Sequence, residues 1–293
     1  MPDRLVLGTR GSKLALAQSG QVAAALTQAT GLPVDLKVIS TKGDRVQDKP
    51  LPEVGGKGLF TLELEQELLA GTIDLAVHSL KDLPTEDNPG LMVAAYPRRA
   101  DPRDVLVGLP LDQLPQGAIV GTGSARRATQ LKALRPDLEI KGIRGNVDTR
   151  IRKLHEQDYQ SIVLAAAGMA RLGLETERFP LEPSECLPAP GQGVLALQCN
   201  SERPEIIALL RSLDDFDART CVEAERSFLA ALGGGCSVPA ACHAIFEGDL
   251  LWVRGALADE SGTVHRHEAR GTPQQAAALG AVLAAVLRQA VGV

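Results

Sequence analysis

The chain has 293 residues, 44% of them hydrophobic, so it can bury substantial cores, and its length suggests two or three domains. Its formal net charge of -5 and pI of about 5.6 argue against a general role in holding nucleic acid or an anionic membrane, and any basic surface must be local. The five cysteines are odd in number and form no C-x-x-C pair, which argues against a disulfide framework and a zinc site.

Strands and helices alternate through the first third of the chain. A strand at residues 4–7 leads into a long Ala-rich helix, and a second strand is predicted at 34–40. A glycine-rich loop at 54–58 precedes an amphipathic helix from about 59 to 70, and a third strand is predicted at 73–77. Such alternation predicts an α/β fold with a mostly parallel sheet.

Residues 100–190 repeat the alternation without repeating the sequence. Proline-rich segments at 96–102 and 187–193 flank this region, and both are predicted crossings because prolines interrupt regular structure. Two α/β lobes joined by paired crossings form a common ligand clamp. The predicted elements are, in order, a strand at 118–121, a helix at 124–134, a strand at 139–143, a helix at 147–156 and a strand at 161–165.

The pattern changes to α+β near residue 217. A helix is predicted at 218–232, followed by a hairpin that turns at Gly248-Asp249 and by a strand at 264–268. A further helix closes the chain. This region is predicted to form a third domain.

The stretch IDLAVHSLKDLP, residues 73–84, is the predicted reaction centre. Its apolar residues at period two indicate a strand, and ligands of open α/β sheets bind outside the carboxyl ends of strands. Asp82 is the natural acid or base, although an Asp near Pro often only orders a turn. His78 is either a general base or a hydrogen-bonded structural group. Four polar side chains gather at the predicted strand end: His78, Ser79, Lys81 and Asp82.

Cations or hydroxyls stand at three predicted helix starts, each after a strand end and a loop of small residues. A helix N-terminus offers free N–H groups and a positive dipole end, so each can hold an anion. Any one of these cations can equally be solvated or in an ordinary ion pair, but together they imply a ligand with several carboxylates or phosphates. The three groups are Arg10 with Ser12, Lys57, and Ser124 with Arg126 and Arg127, and Arg144, Arg150 and Arg171 add further cations.

Two segments are similar to phosphate-binding motifs, and one cysteine lies in a glycine-rich loop. The segment beginning Gly121-Thr122-Gly123 has Arg126 where a dinucleotide fingerprint needs its third glycine, and the 54–58 loop is not a Walker A loop. Neither NAD nor a nucleotide is therefore indicated.

Cys236 lies in a triple-glycine loop, where it is either a small buried residue or an exposed, reactive thiol.

Six segments taken together resemble the porphobilinogen deaminase family, whose activity is also called hydroxymethylbilane synthase. Each match is weak alone, but the six occur in order along most of the chain. They are VGGKGLF at 54–60, DLAVHSLKDLP at 74–84, GTGSARR at 121–127, RGNVDTR at 144–150, LPAPGQG at 187–193 and GGCSVP at 234–239.

The resemblance implies a reaction, a cofactor and a set of residues. Four porphobilinogen molecules would be joined head to tail with loss of ammonia, starting from a dipyrromethane primer attached covalently to Cys236. Asp82 would stabilise cationic intermediates and carry protons. The residues implied to bind the carboxylates of primer and substrate are Arg10, Ser12, Lys57, Lys81, Ser124, Arg126, Arg127, Arg144, Arg150 and Arg171.

The resemblance also implies a domain layout. The family fold resembles two periplasmic-binding-protein-like α/β lobes plus a smaller α+β C-terminal domain. Residues 1–96 with 194–213 would form the first lobe, 97–193 the second, and 217–293 the domain that carries Cys236. Two departures from related sequences are Glu53 before the glycine loop, where a basic residue is common, and Gly123 with Ala125 in the arginine loop.

A non-catalytic two-lobed protein that binds a solute or an effector is the competing hypothesis. A secreted receptor would need a signal peptide and a regulator a helix-turn-helix, and neither is found. No segment offers about eighteen uninterrupted apolar residues. We therefore expect a cytoplasmic monomer whose partner is the small molecule porphobilinogen, with no metal, nucleic acid or membrane partner.

Overall fold

The chain folds as two compact units. Unit 1 comprises Met1–Arg99 and Val194–Arg219, and unit 2 comprises Ala100–Gly193 and Thr220–Val293. The division into three domains stays a prediction. The computed structural model describes five stretches of the chain: residues 2–41, 43, 61–86, 88–233 and 239–292.

Each strand and helix that the sequence predicted is present within a few residues of its predicted bounds, and the α/β class with a smaller α+β region is confirmed. The described helices are α1 (Lys13–Thr30), α2 (Leu62–Leu69), α3 (Ala125–Leu134), α4 (Val147–Glu156), α5 (Ala166–Arg171), α6 (Pro204–Leu210), α7 (Phe216–Ala231) and α8 (Ala276–Val291). The described strands are β1 (Leu5–Thr9), β2 (Val34–Val38), β3 (Leu75–Ser79), β4 (Leu91–Ala95), β5 (Asp104–Gly108), β6 (Ile119–Gly121), β7 (Glu139–Lys141), β8 (Ser161–Ala165), β9 (Phe179–Leu181), β10 (Leu195–Asn200), β11 (Ala240–Glu247), β12 (Leu250–Ala258) and β13 (Val264–Gly271).

Unit 1 is built on a five-stranded sheet with the order β2-β1-β3-β10-β4. The first three strands are parallel, whereas β10 runs antiparallel to both of its neighbours. Its core joins Leu5 and Leu7 of β1 to Val22 and Leu26 of α1, so the apolar stripe of α1 faces the sheet. The helix ends at Gly31, whose φ of 75° is the left-handed conformation of a common C-cap.

Unit 2 contains a second five-stranded sheet with the order β7-β6-β8-β5-β9. Here β6, β7 and β8 are parallel, and β5 runs antiparallel to β8 and β9. The prediction of mostly parallel sheets was therefore wrong for half of the pairings. The reason is the position of β5 and β10, each of which follows a predicted crossing. Each is the fourth strand in the order of its sheet and runs antiparallel to both of its neighbours.

The C-terminal part of unit 2 is a three-stranded antiparallel sheet, β11-β12-β13, packed against α7 and α8. Its core includes Phe228 of α7, Val253 of β12 and Leu283 of α8. The two helices approach closely at Gly280, where a Cβ atom would lie 2.0 Å from the carbonyl oxygen of Ala224. The predicted turn at Gly248-Asp249 is confirmed between β11 and β12.

Strand β3 begins and ends two residues later than predicted. Asp74 precedes the strand because its carboxylate accepts a hydrogen bond from the backbone N–H of Val6 at 2.7 Å and pairs with Arg203. His78 and Ser79 consequently belong to the strand rather than to the loop after it. The turn that follows is a short 3-10 helix, Leu80–Asp82.

Candidate functional site

The site residues predicted in unit 1 meet at one edge of its sheet. Strands β1 and β3 are parallel neighbours, so their carboxyl ends lie on the same side. Arg10 follows β1 directly, and Lys81 and Asp82 lie in the 3-10 turn directly after β3. The structure thus places these three charged residues and Ser12 at a single edge.

The first turn of α1 is fixed to this edge by side-chain hydrogen bonds. Ser12 is the N-cap, and its Oγ accepts a hydrogen bond from the backbone N–H of Ala15 at 3.2 Å. One turn further, Gln18 Nε2 donates to Ser79 Oγ at the end of β3 at 3.0 Å. The positive end of an 18-residue helix is therefore held beside the turn that carries Asp82.

Asp82 presents its carboxylate to solvent. The residue is exposed, and its side chain makes no hydrogen bond or ion pair with any other residue in the described part of the chain. The 3-10 turn is closed instead by the backbone, since Leu83 N–H donates to the Leu80 carbonyl at 3.0 Å. A role confined to ordering this turn is therefore not supported, and the carboxylate can contact a ligand.

His78 is a buried structural group. It is 6% exposed, and its Nε2 lies 2.9 Å from Gln198 Oε1 on β10. Gln198 in turn donates to Glu65, which accepts a hydrogen bond from Asn88. Burial lowers the pKa of His78 to about 4. The hydrogen bond with Gln198 offsets part of this shift, and the positive charge of Arg10 makes a smaller lowering contribution. The neutral ring is thus inside unit 1 and not at the edge.

Unit 2 has an equivalent edge, where the predicted arginines meet. The loops that follow the parallel strands β6 and β7 carry Ser124 and Arg144, and Arg171 is the last residue of the short helix α5, which follows β8. Helices α3 and α4 start at this edge and contribute the remaining cations. Those cations are Arg126 and Arg127 on α3 and Arg150 on α4.

Arg126 and Arg127 form ion pairs with a residue that sequence reasoning missed, Asp104. Asp104 is fully buried at the start of β5, opposite Ala165 at the carboxyl end of β8. Its two oxygens lie 2.8 Å from Arg126 Nη2 and 2.7 Å from Arg127 Nη2. Burial by itself would raise the pKa of Asp104, but the two guanidinium groups hold it well below its usual range.

Further contacts restrain the same cluster. Arg127 Nη1 donates to the Val163 carbonyl at 3.0 Å, and Gln192 Nε2 donates to Asp104 at 2.9 Å. Burial raises the pKa of the neighbouring Cys186 thiol to about 12, so that cysteine is not a nucleophile at neutral pH. In the sequence, Asp104 is an Asp that precedes an apolar run, which does not distinguish it from other aspartates. Its place beside Arg126 and Arg127 follows only from the pairing of β5 with β8.

Arg144, Arg150 and Arg171 lie partly exposed around this edge. Arg150 Nε donates to the Gly145 carbonyl at 2.7 Å, and Arg171 Nη2 donates to the Gly193 carbonyl at 2.8 Å. Burial lowers the pKa of Arg171 to about 10, which leaves it charged at neutral pH. Gly145 has a φ of 113°, and a Cβ there would lie 2.7 Å from Thr149, so the RGN turn requires glycine.

Three positions singled out in the sequence lie outside the described residues: Lys57, Cys236 and Glu53. The other four cysteines are buried. Within the described stretches, no group of three or more His, Cys, Asp or Glu side chains is arranged to hold a metal ion. None of the helices described is both long and apolar enough to cross a membrane.

Two family models match this chain in succession. Residues 5–208 match "Porphobilinogen deaminase, dipyromethane cofactor binding domain", and residues 219–289 match "Porphobilinogen deaminase, C-terminal domain". The chain belongs to the porphobilinogen deaminase family. The predicted family resemblance is confirmed, and the family model that covers the first two thirds of the chain is that of a dipyrromethane-binding domain.

Curated porphobilinogen deaminases match over nearly the whole chain. The protein of Roseiflexus sp. (strain RS-1) is 50% identical over 289 residues, which cover 97% of this chain and 95% of that protein. The protein of Acidothermus cellulolyticus is 49% identical over 295 residues, covering 98% and 89%. Among solved structures, the methionine-binding protein MetQ is 14% identical with a TM-score of 0.45, covering 76% of this chain and 96% of that one.

The donor groups at each edge, taken separately, fit the carboxylates of a dipyrromethane cofactor. Each pyrrole of such a group bears an acetate and a propionate, so the ligand is strongly anionic. Unit 1 offers Arg10, Lys81 and the N-terminus of α1, and the edge of unit 2 brings five arginines together with one aspartate, so positive charge is in excess at both edges. Guanidinium groups pair bidentately with carboxylates.

Proposed function

We propose that this protein is a transferase, hydroxymethylbilane synthase, that joins four porphobilinogen molecules head to tail with release of ammonia. The observation that carries the proposal is the exposed carboxylate of Asp82 beside Arg10 and Lys81, in a chain of the porphobilinogen deaminase family. A cationic edge with one available carboxylate suits a dicarboxylate substrate that becomes positively charged during reaction.

Asp82 is assigned two roles in each condensation. Loss of ammonia from the aminomethyl group leaves positive charge on the substrate's pyrrole ring, and an adjacent carboxylate stabilises that charge. After the new carbon–carbon bond forms, the ring at that bond must lose a proton to become aromatic again, and the same carboxylate accepts it. The exposure of Asp82 supports both roles because a substrate can reach it.

The cationic residues bind and orient carboxylates. In unit 2, Asp104 fixes Arg126 and Arg127, so these guanidinium groups are held in place before any ligand arrives. When bound, the dipyrromethane supplies the pyrrole α-carbon to which the first substrate is joined. The residues that would hold it and the growing chain are Arg10, Ser12, Lys57, Lys81, Ser124, Arg126, Arg127, Arg144, Arg150 and Arg171.

Cys236 is the proposed attachment point of the cofactor, through a thioether. We also retain the predictions of a cytoplasmic monomer and of three domains, at 1–96 with 194–213, 97–193 and 217–293. The competing hypothesis, a non-catalytic two-lobed binding protein, gives no role to an exposed Asp82 or to Cys236.

The deciding experiment is the intact mass of the denatured protein, measured beside a Cys236→Ser variant. Expression in cells that make porphobilinogen should give a parent heavier than its sequence by two linked pyrrole units. The variant should lack that excess, and the parent should release ammonia from porphobilinogen. Cys242→Ser is a matched control, because that buried cysteine should leave the excess mass unchanged.

Each outcome of the mass measurement decides between the hypotheses. An unmodified parent that does not consume porphobilinogen would favour the binding protein. A modified Cys236→Ser variant would move the attachment point to another residue and leave the activity standing.

A further inference from the structure

The C-terminal sheet contacts the arginine-bearing helix α3 through a buried amide, Gln130. Gln130 is 2% exposed and lies one turn after Arg126 on α3. Its Oε1 accepts two hydrogen bonds, from Leu187 N–H at 2.8 Å and from Arg266 Nη2 of β13 at 3.0 Å. One side chain thus joins α3, the first residue of the second crossing and the C-terminal sheet.

Leu187 connects this amide to Arg126. The Leu187 carbonyl accepts hydrogen bonds from Arg126 Nη1 at 2.7 Å and from Gln130 Nε2 at 3.1 Å. The opposite side of the Arg126 guanidinium is the ion pair with Asp104. The direction of the guanidinium is therefore set by two anchors, a carboxylate on β5 and the carbonyl of Leu187.

The position of Leu187 is in turn set by the C-terminal sheet. Its side chain packs against Ala241 and Ala256 of that sheet, and the carbonyl of the next residue, Pro188, accepts from Cys242 N–H at 3.2 Å. Arg266 adds a polar contact on the other side, because its Nη2 also donates to the Glu185 carbonyl at 3.0 Å. The segment is thus held at both ends.

We propose that Gln130 and Arg266 are positioning residues that orient the Arg126 guanidinium for the carboxylates of the ligand. This inference rests on the proposed function, in which Arg126 binds such carboxylates. Neither residue touches the substrate. Both act through the Leu187 carbonyl, so their loss should weaken ligand binding more than it slows the chemical step.

The chain supplies a matched pair of variants on one strand. Arg266→Met removes the contacts to Gln130 and Glu185. Arg270→Met makes the same change four residues later on β13, where the side chain pairs with Glu247 and Glu268 instead. The two variants lose similar exposed charge, and only the first loses the connection to Arg126.

The test uses the cofactor-loaded protein and two readouts. The first is the Kd for a pyrrole that carries acetate and propionate but has no aminomethyl group and so cannot react. The second is the KM and kcat for porphobilinogen. Arg266→Met should raise Kd and KM about three- to tenfold with kcat changed less than about twofold, whereas Arg270→Met should change neither. Arg266→Lys, which keeps one donor, should fall between the parent and Arg266→Met.

A double-mutant cycle separates positioning from general loosening. In an Arg126→Lys background, Arg266→Met should add little to the rise in Kd, because the group that it orients is already changed. The inference would be overturned if Arg266→Met raised Kd by the same factor in the parent and in the Arg126→Lys variant. Identical Kd values for Arg266→Met and Arg270→Met would overturn it as well. If Arg266→Met does not fold, the same cycle is run with Arg266→Lys. A parent that neither binds the analogue nor consumes porphobilinogen would overturn the proposed function as well.

Discussion

Two aspartates at the sheet edges have opposite environments and therefore different chemistry. Asp82 is exposed and has no side-chain partner among the described residues, so it can reach a ligand and exchange protons. Asp104 is fully buried between Arg126 and Arg127, which keep it charged. The first is suited to catalysis and the second to holding other residues in place.

Replacing Asp82 should abolish turnover without preventing cofactor attachment. Asp82→Ala and the isosteric Asp82→Asn should both retain the excess mass of the primer, while kcat for porphobilinogen falls by about 100-fold or more, the usual scale of acid–base and charge stabilisation. Steady-state kinetics and intact mass measure the two effects. Normal turnover in either variant would remove Asp82 from its catalytic role.

Asp104→Asn should destabilise unit 2 and weaken substrate binding. The change leaves two buried guanidinium groups without their counter-charge, which costs about 3–5 kcal/mol in comparable buried pairs. Denaturant unfolding and the KM for porphobilinogen measure the effects. Asp101→Asn is the control, since its partly exposed pair with Arg103 should contribute less than about 1 kcal/mol. Similar losses in the two variants would contradict the assignment.

His78 should make the protein less stable in mild acid. Its folded pKa of about 4 lies below the ordinary value of 6.5, so the unfolded chain binds the proton more readily, and stability falls as pH drops from 6.5 toward 4. Between pH 7 and pH 5 the loss should be about 2 kcal/mol. Urea unfolding at both pH values should show this loss in the parent and a smaller one in His78→Gln. An equal loss in both proteins would show that other groups cause it.

At the scale of elements, the sequence predicted those with strong local signals. Strand β8 and helix α4 have the predicted bounds, because an apolar run and a helical period identify them without reference to distant residues. Strands β5 and β10 were not predicted, because their places depend on pairing with β8 and β3, which are distant in sequence. The same limit applies to the site. Arg10, Lys81 and Asp82 follow strand ends and were predicted, whereas Asp104 depends on the missed strand β5.

Two glycines inside helices should respond oppositely to alanine. Alanine normally stabilises a helix interior by about 0.5–1 kcal/mol, and Gly20 of α1 has no atom within 4 Å of the position of an added Cβ. At Gly280 of α8 the Cβ would lie 2.0 Å from Ala224 O, so Gly280→Ala should destabilise by about 1–3 kcal/mol. Denaturant midpoints of the two variants test this, and a stabilised Gly280→Ala would disprove the close helix contact.

At the scale of the molecule, an acidic chain carries local basic edges. Its net charge is -5, yet cations are gathered at the carboxyl ends of parallel strands in both units. Exposed charges are screened within about 8 Å at physiological salt, so added salt should weaken carboxylate binding. The KM for porphobilinogen should rise severalfold between about 20 mM and about 500 mM salt, while kcat changes less. A constant KM would contradict an electrostatic role for these residues.

Because β10 lies between β3 and β4, the ribosome completes unit 1 late. The first four strands of its sheet are finished by Ala95, but the strand that must separate β3 from β4 begins at Leu195. Synthesis of roughly a hundred intervening residues takes on the order of ten seconds. Throughout that interval the nascent chain carries the unpaired backbone of β3 and β4, a period in which it can aggregate or recruit a chaperone.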